Sequence, residues 1–172
     1  MAGKQPSGPG SSGFEPIDPW KSEYLSIRRR NLPHLTVPDA AYFVTFRTRA
    51  GRKLQAKARD LVIANILECD QKSIDLAAAV VMPDHVHLIL RLIPPYDLGP
   101  VLQRIKGRSA RQINQMVNGA GAVWSDESFD HIIRHAAELE EKLEYIRQNP
   151  VKRGLADHPD HYQWLFIKSI TG

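Results

Sequence analysis

The chain has 172 residues, 42% of them hydrophobic, which suits one domain with a real core. Its 23 Lys and Arg against 19 Asp and Glu leave a net charge of +4, and the single Cys69 excludes an intramolecular disulfide, a cysteine zinc site and a CxxC redox pair, as expected of a cytoplasmic protein. The opening MAGKQPSGPGSSG lacks the apolar stretch of a secretory leader and no later run approaches transmembrane length, so no membrane partner is expected.

Residues 1–24, rich in Gly, Pro and Ser, read as a flexible tail, and residues 25–172 as the folded domain. After the basic stretch RRRNLPHLTVPDA, the aromatic and β-branched AYFVTFRT predicts a strand over 41–48. Leu54 to Cys69, with Leu61, Ile66 and Leu67 among straight-chain polar residues, predicts a helix. Ile74 to Met82 is almost continuously apolar, as in a strand covered on both faces. Pro83-Asp84 supplies turn chemistry, and His85 to Leu92 returns as the next strand. Residues 97–117 form a second helix and SFDHIIR, 128–134, a further strand. A third helix covers Ala136 to Asn149 and is expected to stop there, because Pro150 disfavours helical geometry in the residue before it. Strand, helix, hairpin, helix, strand, helix is the order of an α+β fold: a ferredoxin-like split βαβ antiparallel sheet with helices on one face and an extra C-terminal helix.

Charge is unevenly spread. Residues 1–60 carry 11 basic and 5 acidic side chains, and residues 100–120 carry four basic and none acidic. A polyanion partner on one side fits this distribution, and so does an ordinary solvated surface.

The most apolar stretch, MPDHVHLIL, contains two histidines. Strand alternation puts His85, His87, Ile89 and Arg91 on one face and Val86, Leu88, Leu90 and Leu92 on the other. Imidazole is costly to bury unless its nitrogens find partners. Two readings meet that condition: bonds to backbone carbonyls or water, or shared ligation of one metal ion. Without a cysteine cluster or HExxH, a metal here needs an oxygen donor, and two imidazoles with such a donor suit Mg2+ or Mn2+ better than zinc. On the last helix, Leu139, Leu143 and Ile146 form the apolar stripe, while Tyr145 and Asn149, four residues apart, lie roughly 100° around from it. Taken singly, they read as a rim tyrosine and a helix C-terminal residue; beside an HxH strand they are candidates for chemistry.

MPDHVHLIL, followed some sixty residues later by YIRQNPVKRGL, with RRRNLPHL and AYFVTFRT upstream and FDHIIR between, resembles the REP-associated tyrosine transposases of the HUH single-strand DNA endonucleases. Residues 25–167 carry the resemblance. It implies a divalent metal held by His85, His87 and Asn149 and a nucleophilic Tyr145, giving a 5′-phosphotyrosine and a free 3′-hydroxyl from single-stranded DNA with a palindromic hairpin. Asp84 stands where many relatives have asparagine. Ester exchange of this kind needs no nucleotide, and no GxxxxGK[ST] loop is present.

Arg104, Arg108 and Arg111 line one face of the second helix with Lys106 beside them; Arg28, Arg29, Arg30, Arg47, Lys152 and Arg153 add basic groups near the first strand and last helix. These are candidate DNA-phosphate contacts. Lys142 is either a helper of the phosphate or a solvated lysine, and His131 and His135 are either an extra acid/base pair or structural residues. The chain is expected to act as a monomer or homodimer. The rival functional classes are a non-catalytic DNA- or RNA-binding module stacking bases on Tyr42, Phe43 and Phe46, and a metal-dependent phosphohydrolase of small substrates.

Overall fold

In the computed structural model, which describes residues 40–168, the elements follow the expected order. They are β1 (Ala41–Thr48), α1 (Ala56–Cys69), β2 (Ile74–Val81), β3 (His85–Leu92), α2 (Leu98–Met116), β4 (Trp124–Ile133), α3 (Ala136–Lys152) and β5 (Leu165–Ile167). The tail assigned to residues 1–24, its boundary, and Arg28, Arg29 and Arg30 lie outside the described residues. The sheet runs β4-β1-β3-β2-β5, with every neighbouring pair antiparallel. Each of β1-α1-β2 and β3-α2-β4 therefore straddles one strand, the ferredoxin-like split βαβ arrangement, to which β5 adds an edge.

Strand alternation divides the core in two. Tyr42, Val44 and Phe46 stand opposite Leu90, Leu88 and Val86, and with Leu76, Ala79 and Val81 they pack against Val62 and Ile66 of α1 and Leu102, Ile105 and Ile113 of α2. Phe43, Ala78, Val80, Ile89 and Ile133 fill the other face, against Ile146, Leu139 and Leu143 of α3. Burying one Ile or Phe in either layer contributes about 1.5–3 kcal/mol. Helices α1 and α2 thus cover one side of the sheet and α3 the other, the side that carries the two histidines.

Four differences from expectation exceed a single residue. Helix α1 begins at Ala56, because Gln55 is still extended and the Leu54 N–H donates to the Pro83 carbonyl at 2.6 Å. Strand β4 starts at Trp124: Ser109 accepts from the indole N–H at 3.0 Å, and the ring packs edge-on to Phe46. Its acids Asp126, Glu127 and Asp130 hide the strand in the sequence, yet charges suit the outermost strand of a sheet. Helix α3 does not stop at Asn149 but runs through Pro150 to Lys152. Proline here forfeits its N–H bond and crowds the carbonyl four residues back, and burial of Ile146, Asn149 and Pro150 outweighs that cost. Strand β5, three residues pairing with Ala78 to Val80, carries no periodicity by which to recognise it.

Candidate functional site

Register brings the site together. His87 stands opposite Thr45 and His85 opposite Arg47, so all four share the face beneath α3. Both histidines are buried, His87 completely. Thr45 Oγ1 lies 2.7 Å from His87 Nδ1, and Asp84 Oδ1 lies 2.7 Å from His85 Nδ1. With both Nδ1 atoms engaged, it is the Nε2 side of each ring that remains for a ligand, and His87 Nε2 is buried with no hydrogen-bond partner. The imidazole centroids are 4.6 Å apart.

Helix α3 supplies the remaining groups. The Tyr145 ring meets His87 edge-on at 5.2 Å between centroids and Phe43 at 6.0 Å. One turn on, Asn149 is buried and its Oδ1 has no hydrogen-bond partner. A further turn on, Arg153 reaches the Asp84 carboxylate at 3.0 Å. Asn149 is thus bracketed along the helix by one residue packed on His87 and another bonded to the neighbour of His85.

Electrostatics favour neutral imidazoles. Burial pushes His85 below its ordinary pKa, partly opposed by Asp84, and pushes His87 further down, with His85 and Arg47 adding repulsion. Neutral histidine is the ligating form. Burial alone would raise the Asp84 carboxyl, but hydrogen bonds from Lys53, His85 and Arg153 hold it well below the usual carboxylate range. Among the described residues, no group of three or more His, Cys, Asp and Glu side chains is placed to hold a metal ion. The two imidazoles and the Asn149 amide are a different kind of donor, two of whose buried polar atoms lack hydrogen-bond partners, and a nitrogen and oxygen set of that kind could hold a divalent ion.

The cationic candidates divide between the two faces. Arg47 is opposite His85, and Arg153 is on Asp84, with Lys152 beside it at the end of α3. Arg104, Lys106, Arg108 and Arg111 belong to α2, across the sheet from Tyr145. Of these, Arg108 pairs with Glu68 at 2.6 Å, and Lys106 donates to Ser128 Oγ and the Asp126 carbonyl. Lys142 lies over the Phe43 ring at 5.7 Å, on the site side. His131 is bonded to Glu138 at 2.6 Å, and His135 caps α3 by position. Tyr42, Phe43 and Phe46 are buried and offer no stacking platform. Tyr162, the other tyrosine near this layer, is buried, donates to the Val81 carbonyl and accepts from Arg59, and burial raises its pKa. Thr45 and Lys53 are the site residues that sequence reasoning missed. A threonine in the middle of AYFVTFRT, on the Phe43 and Arg47 face, was the available signal for the first.

The fold of this chain is already seen in a solved structure. That structure, of a REP-associated tyrosine transposase bound to a REP hairpin, superposes with a TM-score of 0.67 over 78% of this chain and 81% of that one, at 20% identity. The family described as Transposase IS200 like matches residues 36–149, a span that includes His85, His87, Tyr145 and Asn149, and the chain belongs to that family. It is also 26% identical over 99 residues to a Haemophilus influenzae protein that carries the name REP-associated tyrosine transposase; the match takes in 52% of this chain and 56% of that protein's length. No helix among the described residues is long and apolar enough to cross a membrane.

Proposed function

We propose that this chain is a metal-dependent endonuclease and strand transferase of single-stranded DNA, acting through a 5′-phosphotyrosine on substrates that carry a palindromic hairpin of the REP kind. The observation that carries the reading is the contact of Tyr145 with His87, a buried imidazole whose Nε2 lacks a partner, one turn from Asn149 Oδ1, which also lacks one. The names of the relatives support the hairpin substrate.

His85, His87 and Asn149 would hold Mg2+ or Mn2+, which when bound supplies charge neutralisation at the scissile phosphate. The chain's own groups do the rest. Tyr145 Oη attacks phosphorus and gives up its proton, the bond from phosphorus to the 3′-oxygen breaks, and that oxygen leaves as a hydroxyl. One phosphodiester replaces another, so the step reverses when a 3′-hydroxyl attacks the phosphotyrosine. Phe43 packs against both the Tyr145 and His87 rings, restricting the angles from which the phenol can approach. Arg47 places a positive charge beside the histidines, where a phosphate would arrive.

The test is incubation of labelled single-stranded hairpin DNA with the protein and Mn2+, resolved on a denaturing gel. A covalent adduct that disappears in Tyr145→Phe, with hairpin affinity retained, is the expected result. An adduct that persists in the variant removes Tyr145 from the mechanism. A parent that binds hairpins but never forms an adduct favours the binding module.

A further inference from the structure

Asp84 occupies the turn between β2 and β3, and its backbone is fixed from outside. Its carbonyl accepts from the Thr48 N–H at 3.0 Å and the Thr48 hydroxyl at 3.1 Å, while the preceding Pro83 carbonyl accepts from Leu54. The reach of the side chain is therefore set. Its two oxygens do different things. Oδ1 faces His85 Nδ1 at 2.7 Å, and Oδ2 accepts from Arg153 Nη2 and Lys53 Nζ, each at 3.0 Å. A carboxylate paired with two cations only accepts hydrogen bonds, so His85 Nδ1 must carry the proton and Nε2 the lone pair. Arg153 follows Asn149 by one turn and Tyr145 by two, and it takes this position because α3 continues through Pro150.

We propose that Asp84 is a two-ended positioning residue: one oxygen holds His85 in the ligating tautomer, and the other ties Arg153, fixing the α3 face that bears Tyr145 and Asn149 against the histidine strand. This rests on the metal-centre reading above. Of the two cations, Arg153 follows α3 directly, whereas Lys53 lies in the loop before α1 and is 64% exposed, so Arg153 carries the tie between α3 and β3. Asparagine at this position would keep an acceptor for His85 Nδ1 but turn an amide NH2 toward two cations. Asp84→Asn therefore separates the two ends.

Three measurements on the full chain decide the matter: Mn2+ affinity by electron paramagnetic resonance without DNA, hairpin affinity by anisotropy, and single-turnover nicking at saturating hairpin. D84A should weaken Mn2+ binding by about 10–100-fold, the range for losing an outer partner of a ligating histidine, whereas D84N should retain most of it. D84N and R153M should each slow nicking, by up to about 100-fold for an ångström-scale displacement of the nucleophile, at unchanged hairpin affinity. The double variant should be no slower than either single one, and R153K should recover part of the rate. If D84A does not fold, D84S, too short to reach Nδ1, takes its place in the Mn2+ titration. Parental Mn2+ affinity in the shortened variant would overturn the histidine end. Tighter hairpin binding with undiminished nicking in D84N would overturn the helix end and make Arg153 a DNA contact. Failure of the parent itself to bind Mn2+ would remove the metal centre, and this inference with it, whereas an H85A/H87A variant that loses Mn2+ beside an unaffected D84A would sink the inference alone.

Discussion

Thr45→Val tests the least exposed bond of the site. Thr45 is 1% exposed and His87 0%, and the hydroxyl lies 2.7 Å from Nδ1. Valine keeps the β-branched outline and the strand preference of threonine, so packing against the neighbouring side chains changes little. The hydroxyl is lost, and Nδ1 is left buried without a partner. An orphaned buried polar group costs about 1–3 kcal/mol. For a domain of this size each kcal/mol moves Tm by about 2–4 °C, so the metal-free variant should melt roughly 2–12 °C below the parent. Mn2+ affinity should fall as well, by about 10–100-fold, because the ring loses the partner that orients Nε2. Thr45→Ser, which keeps the hydroxyl, should retain the affinity even where it loses some stability. The assays are a thermal melt with chelator present and a Mn2+ titration. A valine variant melting within about 1 °C of the parent and binding Mn2+ equally would refute the claim that this bond orients His87.

Because burial holds the folded-state pKa of both histidines below 6.5, the unfolded chain takes up protons first, so metal-free stability is complete above that value and declines as pH drops through it. Urea midpoints of the parent should therefore fall between about pH 7.5 and 5.5, and H87Q should shrink the fall; a flat parental profile would contradict buried neutral imidazoles. Arg47→Gln, on the histidine face, should slow nicking at saturating hairpin more than the combined Gln variant of Arg104, Arg108 and Arg111, which lie across the sheet; the reverse order would place the reacting strand on the α2 side. Arg59→Met removes a 2.9 Å bond to the Tyr162 hydroxyl and a guanidinium stacked 3.5 Å over Trp164, and it should cost about 1–2 kcal/mol in urea denaturation without abolishing the adduct. An unchanged midpoint would show that this contact contributes nothing.

By itself the sequence determined the order of the first seven major elements, the split βαβ class, the shared strand face of His85 and His87 and the shared helix side of Tyr145 and Asn149. These rest on periodicity, turn residues and helical spacing, which are local properties of the chain. Tertiary structure decided the rest. Whether α3 ended at Pro150 could not be read locally, because burial of Asn149 and Pro150, absent from an isolated helix, outweighs the preference of the residue before a proline. The three residues of β5 become a strand only through their pairing with β2. Register made Thr45 the partner of His87 and put Arg47 opposite His85, pairings separated by about forty residues of chain. The same three-dimensional packing divided the cationic residues between the two faces of the sheet, a distinction that charge counting along the chain cannot make. And it joined Asp84 to Arg153 across 69 positions, because the direction of a helix relative to a strand is set by the side chains packed between them, not by either segment alone.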